Sequence, residues 1–193
     1  MIINHPLKNE LQEHIAILQQ SVSECGTMIS EISNVIIQCF KQGHKVLLCG
    51  NGGSAADAQH IAAEFINRFR FERPALPAIA LTTDSSILTC VGNDSSFELV
   101  FSRQVEALAQ RGDVLVGIST SGASINVLNA LDAARTKGVT TIGFTGTNGR
   151  TTIGSKCDYC VVIPSADTAR IQEAHEFIWH SICGTVEEKM FRS

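Results

Sequence analysis

Residues 113–146 read DVLVGISTSGASINVLNALDAARTKGVTTIGFTG, and their pattern decides the fold. Two short apolar runs rich in β-branched residues, 113–118 and 140–145, flank a stretch (124–137) whose apolar residues recur every three to four positions. A strand, a helix and a second strand in that order form a parallel βαβ unit, whose crossover is right-handed. The turn between the first strand and the helix holds Ser119, Thr120, Ser121, Gly122 and Ser124. Hydroxyls and free amides therefore meet at a helix N-terminus, where the dipole favours an anion. Helix capping by Ser or Thr explains one such hydroxyl. Four of them in one loop point to phosphate.

The same alternation extends to both sides. Further strands are expected at 45–49 (KVLLC), 77–81 (PAIAL) and 159–163 (YCVVI), with helices at 54–69, 98–110 and 168–190. Near-continuous apolar strands separated by helices imply a sheet covered on both faces. The expected fold is α/β, a doubly wound five-stranded parallel sheet of flavodoxin-like type. Residues 146–157, with Asn148-Gly149, read as a surface turn and a brief helix. Ahead of the sheet, 7–42 reads as helical, with Leu11, Ile15, Leu18 and Val22 in register and a kink expected near Gly26. The chain thus divides into an N-terminal helical segment, 1–43, and the α/β unit, 44–193. The leading helix suits either oligomerisation or packing on its own sheet.

Composition narrows the classes. The 193 residues are 44% hydrophobic and 18% charged, with a net charge of −4. That is a globular balance, and it gives no electrostatic case for nucleic acid. No apolar run approaches the ~20 residues that span a bilayer, and MIINHPLKNELQEHI has neither the basic flank nor the apolar core of a signal peptide. A cytoplasmic protein is expected. Seven cysteines, several of them inside apolar runs, read as reduced buried thiols; Cys157 and Cys160 form a C-x-x-C, but it sits at the start of a strand rather than of a helix.

Ligands of such sheets bind beyond the carboxyl ends of the strands. After 45–49 comes CGNGGSAADAQHIAAEF, with Asn51, Gly52, Gly53 and Ser54 entering a helix. Ala55, the lack of an acidic residue closing PAIAL and the missing Walker lysine argue against a nucleotide. The following helix carries His60 and Glu64, four apart on one face and set among alanines. Alone, the pair reads as an ordinary helix-surface pair, although its spacing also suits two metal ligands. The last helix carries Arg170, Gln172, Glu173, His175, Glu176 and His180. On a 3.6-residue period Gln172 and His180 are about 80° apart, close enough to flank one cleft, although alone these residues read as a solvated helix face. A carboxylate and an imidazole beside a phosphate anchor meet the needs of aldose–ketose isomerisation.

With these residues in view, GISTSGASINVLNALDAARTKGVTTIGFTG resembles the phosphate-binding core of the SIS (sugar isomerase) domain. CGNGGSAADAQHIAAEFINRF, ALTTDSSILTCVGND and ARIQEAHEFIWHSI together resemble bacterial phosphoheptose isomerases, over nearly the whole chain. The resemblance implies conversion of sedoheptulose 7-phosphate to D-glycero-D-manno-heptose 7-phosphate, the first step toward the ADP-heptose of lipopolysaccharide core. It implies Glu64 as general base and His180 as general acid. It implies zinc, one per subunit, on His60, Glu64, Gln172 and His180. Implied substrate contacts are Asn51, Gly52, Gly53, Glu64, Asn93, Asp94, Ser119, Thr120, Ser121, Ser124 and Gln172. The implied assembly is a homotetramer with active sites between subunits. A non-catalytic SIS protein that binds the replication initiator protein is similar through INRFRFERPALPAIAL; it is expected to lack the helix glutamate that stands here as Glu64. A phosphosugar-sensing transcription regulator would need a basic helix-turn-helix, which the residues before the first strand do not show.

Overall fold

The structure is a computed structural model that describes residues 6–192; residues 1–5 and 193, the outer ends of the two expected segments, lie outside that range. Five strands form one sheet: β1 (Val46–Gly50), β2 (Ala78–Ala80), β3 (Val114–Ile118), β4 (Thr140–Gly146) and β5 (Tyr159–Ile163). Their order is β2-β1-β3-β4-β5 and every pairing is parallel. Val46, Val114 and Thr140 stand in register across the three central strands. All five residues of β1 and of β3 are buried, as expected of strands covered on both faces.

Side-chain alternation divides the core in two. Val46, Leu48, Val114, Val116, Ile118, Ile142 and Phe144 point to one face, where they pack against α1 (Pro6–Lys41), α2 (Gly53–Ile66) and α6 (Thr168–Phe191). Leu47, Cys49 and Leu115 point to the other, under α4 (Ser102–Leu108) and α5 (Ile125–Thr136). Trp179 stacks on Phe144 with ring centroids 4.6 Å apart, both fully buried. Each such side chain contributes roughly 1.5–3 kcal/mol by leaving water.

Four expectations change in detail. α1 is one 36-residue helix that runs through Gly26 without interruption; its packing outweighs the ~1 kcal/mol that glycine costs in a helix. Its second half buries Ile32, Ile36, Ile37 and Phe40 in the sheet core, while Leu7, Leu11, Ile15 and Val22 of the first half stay exposed. The helix expected at 54–69 ends at Ile66, and the one expected at 98–110 splits into a 3-10 turn, Phe97–Leu99, and α4. Gln104 of α4 donates to the carbonyls of Leu81 and Val100, which anchors the break. Sequence reading missed α3 (Ser85–Asp94), whose N-cap Asp84 accepts from the Ile87 amide at 2.9 Å. Residues 146–157 hold two 3-10 turns, Thr147–Gly149 and Ile153–Lys156. No helix is long and apolar enough to cross a membrane among the described residues.

Candidate active site

The chain leaves β1 toward β2 on one side and returns through β3 toward β4 on the other. The crevice at this reversal lies beyond Gly50 and Ile118, the ends of β1 and β3. The loop after β3 is built as an anion cradle. Ser124 sits at the N-cap of α5 but makes no side-chain cap; its hydroxyl lies 2.9 Å from that of Ser119. The hydroxyls are thus drawn into the loop rather than spent on the helix end, and the α5 dipole favours an anion there. Ser121 accepts from the Ala123 amide at 3.2 Å. Gly122 has φ +69°, and a Cβ there would run into the Cα of Gly149. A Cβ on Gly149 would in turn collide with Thr145 and come within 2.8 Å of the Gly122 Cα. The loop therefore leans on the turn after β4, glycine against glycine.

The loop after β1 faces this cradle. Asn51 and Asn126 exchange two hydrogen bonds, each 2.9 Å, joining the end of β1 to the first turn of α5. Gly52 and Gly53 are exposed. Gln172 on α6 lies against Gly53 so closely that a Cβ on the glycine would overlap its amide.

α2 and α6 bring the titratable groups together. Ala58 and Ala62 of the first and Ala174 of the second are buried. The His60 and His180 Nε2 atoms are 3.0 Å apart, and Glu64 Oε1 lies 3.3 Å from the His60 nitrogen. Ligand atoms of His60, Glu64 and His180 all fall within 4.8 Å of one another. Two imidazole nitrogens and a carboxylate at this spacing fit a zinc ion, whose ligand atoms stand about 2.0–2.2 Å from the metal. Without an ion, at least one imidazole must turn an N–H to the other. Glu176 Oε2 sits 3.9 Å from His60 and 3.8 Å from His180. Behind it, Asp57 is 8% exposed and its Oδ2 is buried with no partner of donor type. Burial first, and then the charge and side chain of Glu176, push the Asp57 carboxyl up to about 7. Phe69 stacks on His180 with centroids 5.4 Å apart and planes 13° from parallel.

The sequence-predicted residues thus fall into two groups, Asn51, Gly52, Gly53, Ser119, Thr120, Ser121 and Ser124 on the loops and His60, Glu64, Gln172 and His180 on α2 and α6, with the contact of Gln172 on Gly53 between them. Asn93 and Asp94 stand apart, exposed at the C-terminal end of α3 and hydrogen-bonded to each other at 2.8 Å. Sequence reasoning missed Asp57, Asn126 and Phe69, and it named Glu176 on the last helix without giving it a role. Asp57 and Glu176 each lie on the same face as a named histidine, three and four residues away, so helical spacing alone could have drawn them into the site. All seven cysteines are free thiols. Burial pushes the Cys160 thiol up to about 11 and that of Cys157 higher still, far from the low values of reactive dithiols.

Comparison with known proteins agrees with this fold. The SIS domain family matches residues 11–146. A phosphoheptose isomerase of Trichlorobacter lovleyi is 51% identical over 185 residues, 96% of this chain and 94% of that protein. A solved phosphoheptose isomerase from Neisseria gonorrhoeae superposes with a TM-score of 0.89 at 41% identity, covering 94% of this chain and 97% of that one. One from Francisella tularensis gives 0.91 at 34% identity, covering 97% and 100%.

Proposed function

The chain belongs to the phosphoheptose isomerase family of SIS-domain proteins, and from that premise we propose that it converts sedoheptulose 7-phosphate to D-glycero-D-manno-heptose 7-phosphate, an aldose–ketose isomerisation. The observation that carries this reading is the convergence of Glu64, His60 and His180 beside a hydroxyl-rich cradle at the N-terminus of α5. Ser119, Thr120, Ser121 and Ser124 hold the phosphate, and Asn51, Gly52, Gly53 and Gln172 line the path of the sugar. Anchoring a remote phosphate orients the carbonyl end without touching it. Glu64 takes a proton from C1 of the ketose, beside the C2 carbonyl, and returns it to C2. His180 gives a proton to the carbonyl oxygen and accepts one from the neighbouring hydroxyl, so that the enediolate never carries full charge. Phe69 limits how far the His180 ring can turn.

Zinc, one ion per subunit, would be held by His60, Glu64, Gln172 and His180, and when bound it supplies Lewis-acid stabilisation of the two substrate oxygens. Support comes from the donor set already described, two nitrogens and a carboxylate oxygen. The assembly is a homotetramer. The exposed Leu7, Leu11, Ile15 and Val22 of α1, and α3, none of whose residues is buried, are the surfaces it would cover. A neighbouring subunit would also give Asn93 and Asp94 a substrate to meet. We read the protein as a cytoplasmic enzyme of the first step toward ADP-heptose for lipopolysaccharide core. A role as a binding protein for the replication initiator is disfavoured, because the glutamate expected to be missing from such a protein is present as Glu64.

Incubation with sedoheptulose 7-phosphate, with NMR identification of the product and metal analysis of the purified protein, tests the whole reading. A heptose 7-phosphate product is expected. Failure to form it with metal-replete protein would sink the proposal.

A further inference from the structure

We propose that Asn126 is a positioning residue that sets the polarity with which Asn51 meets the sugar. The inference rests on Asn51 being a substrate contact. Asn126 is 4% exposed in the first turn of α5. Two asparagine amides bonded head to tail have two equivalent arrangements, because turning both over preserves both bonds. Here a third bond removes the equivalence. The Val127 amide donates to Asn126 Oδ1 at 3.0 Å, so the oxygen must face that backbone N–H. The same oxygen accepts from Asn51 Nδ2, and Asn126 Nδ2 donates to Asn51 Oδ1, each at 2.9 Å. A helical N–H thereby dictates which edge of Asn51 is donor and which is acceptor.

Asn51 is half-buried, next to the exposed Gly52. It keeps one N–H and one lone pair beyond those used on Asn126. A sugar presents hydroxyls of fixed geometry, and a site built to bond them rejects a donor–acceptor mismatch strongly. Asn126 also lies two residues beyond Ser124, so one side chain ties the sugar-facing loop to the phosphate-facing loop and fixes their separation.

The test compares Asn51→Ala, Asn126→Ala, the double variant and Asn126→Ser by KM and kcat for the phosphosugar. Competitive inhibition by inorganic phosphate and thermal melting are measured alongside. A serine hydroxyl can still accept from Val127 but cannot reach across to Asn51, so it serves if alanine unfolds the protein. Loss of one or two such bonds should raise KM on the order of 5- to 20-fold. Phosphate inhibition should stay within about twofold, and the double variant should be no worse than Asn51→Ala alone. Additive losses in the double variant, or an equal weakening of phosphate, would show that Asn126 merely supports the start of α5 and would overturn the inference. Wild-type KM in Asn51→Ala would instead remove Asn51 from the substrate contacts, and this inference with it.

Discussion

The two halves of α6 each carry buried or half-buried charge facing the end of α2, and they treat it in opposite ways. Toward its C-terminus, Glu187 has a side chain 1% exposed and every neighbour is a donor. The Phe69 and Arg70 amides donate to it at 2.9 and 2.8 Å, and Arg73 Nε at 3.2 Å. Arg73 in turn donates to the Glu64 and Phe65 carbonyls at the end of α2. Burial raises the Glu187 carboxyl, but these donors outweigh it and hold the group below the ordinary glutamate range. Two to three turns earlier, His180 and Glu176 face His60, Glu64 and Asp57, where looser histidine–carboxylate pairs of 3.3–3.9 Å stand among like groups: nitrogen opposite nitrogen at 3.0 Å, carboxylate against carboxylate. One cluster is complete without a visitor. The other leaves Asp57 Oδ2 with no donor and crowds carboxylates together, the kind of imbalance that working sites keep.

The sharpest way to break this contrast is Glu64→Gln. It should lower kcat by roughly 10³-fold through loss of the base, with the melting temperature unchanged or raised, as followed by NMR of heptose formation and thermal melting. Glu187→Ala should do the reverse. It leaves the buried Arg73 guanidinium with carbonyl partners but no carboxylate, costing about 3 kcal/mol in denaturant titration, while kcat falls only modestly through looser stacking of Phe69 on His180. A smaller effect is expected from His175, on the buried face of the same helix. Burial holds its imidazole down to about 4, against an ordinary value near 6.5. The fold therefore keeps this contribution above pH 6.5 and loses it as pH falls toward 4, roughly 2 kcal/mol by pH 5. His175→Gln should flatten that part of the melting-temperature profile. Least of all should come from Arg103→Ala, whose 2.8 Å pair with Glu106 is exposed on both sides; a change under about 0.5 kcal/mol is expected in the same titration.

The sheet was legible because its strands are apolar on both faces. The expected run 159–163 matches β5 residue for residue, and 45–49 differs from β1 by a single position. α3 was not, because SSILTCVGND is only ten residues long and its stripe, Ile87, Leu88 and Val91, is short and no more than half-buried. The loop chemistry of Ser119–Ser124 and the His60–Glu64 spacing were visible in one dimension, since both are local. That His180 meets His60 across 120 positions is a fact of helix packing, and only resemblance to a family could anticipate it. Asn126 gave no signal at all, because an asparagine in a first helical turn ordinarily faces water.

The abutment of Gly122 on Gly149 has a consequence for the history of the chain. Neither position tolerates even a methyl group unless the other segment retreats, so no single amino-acid exchange at either one is accommodated. The two stretches must drift as a linked pair. Anyone recombining this enzyme with a relative should carry 119–124 and 145–149 from the same parent, because a crossover point between them would join halves that never co-adapted.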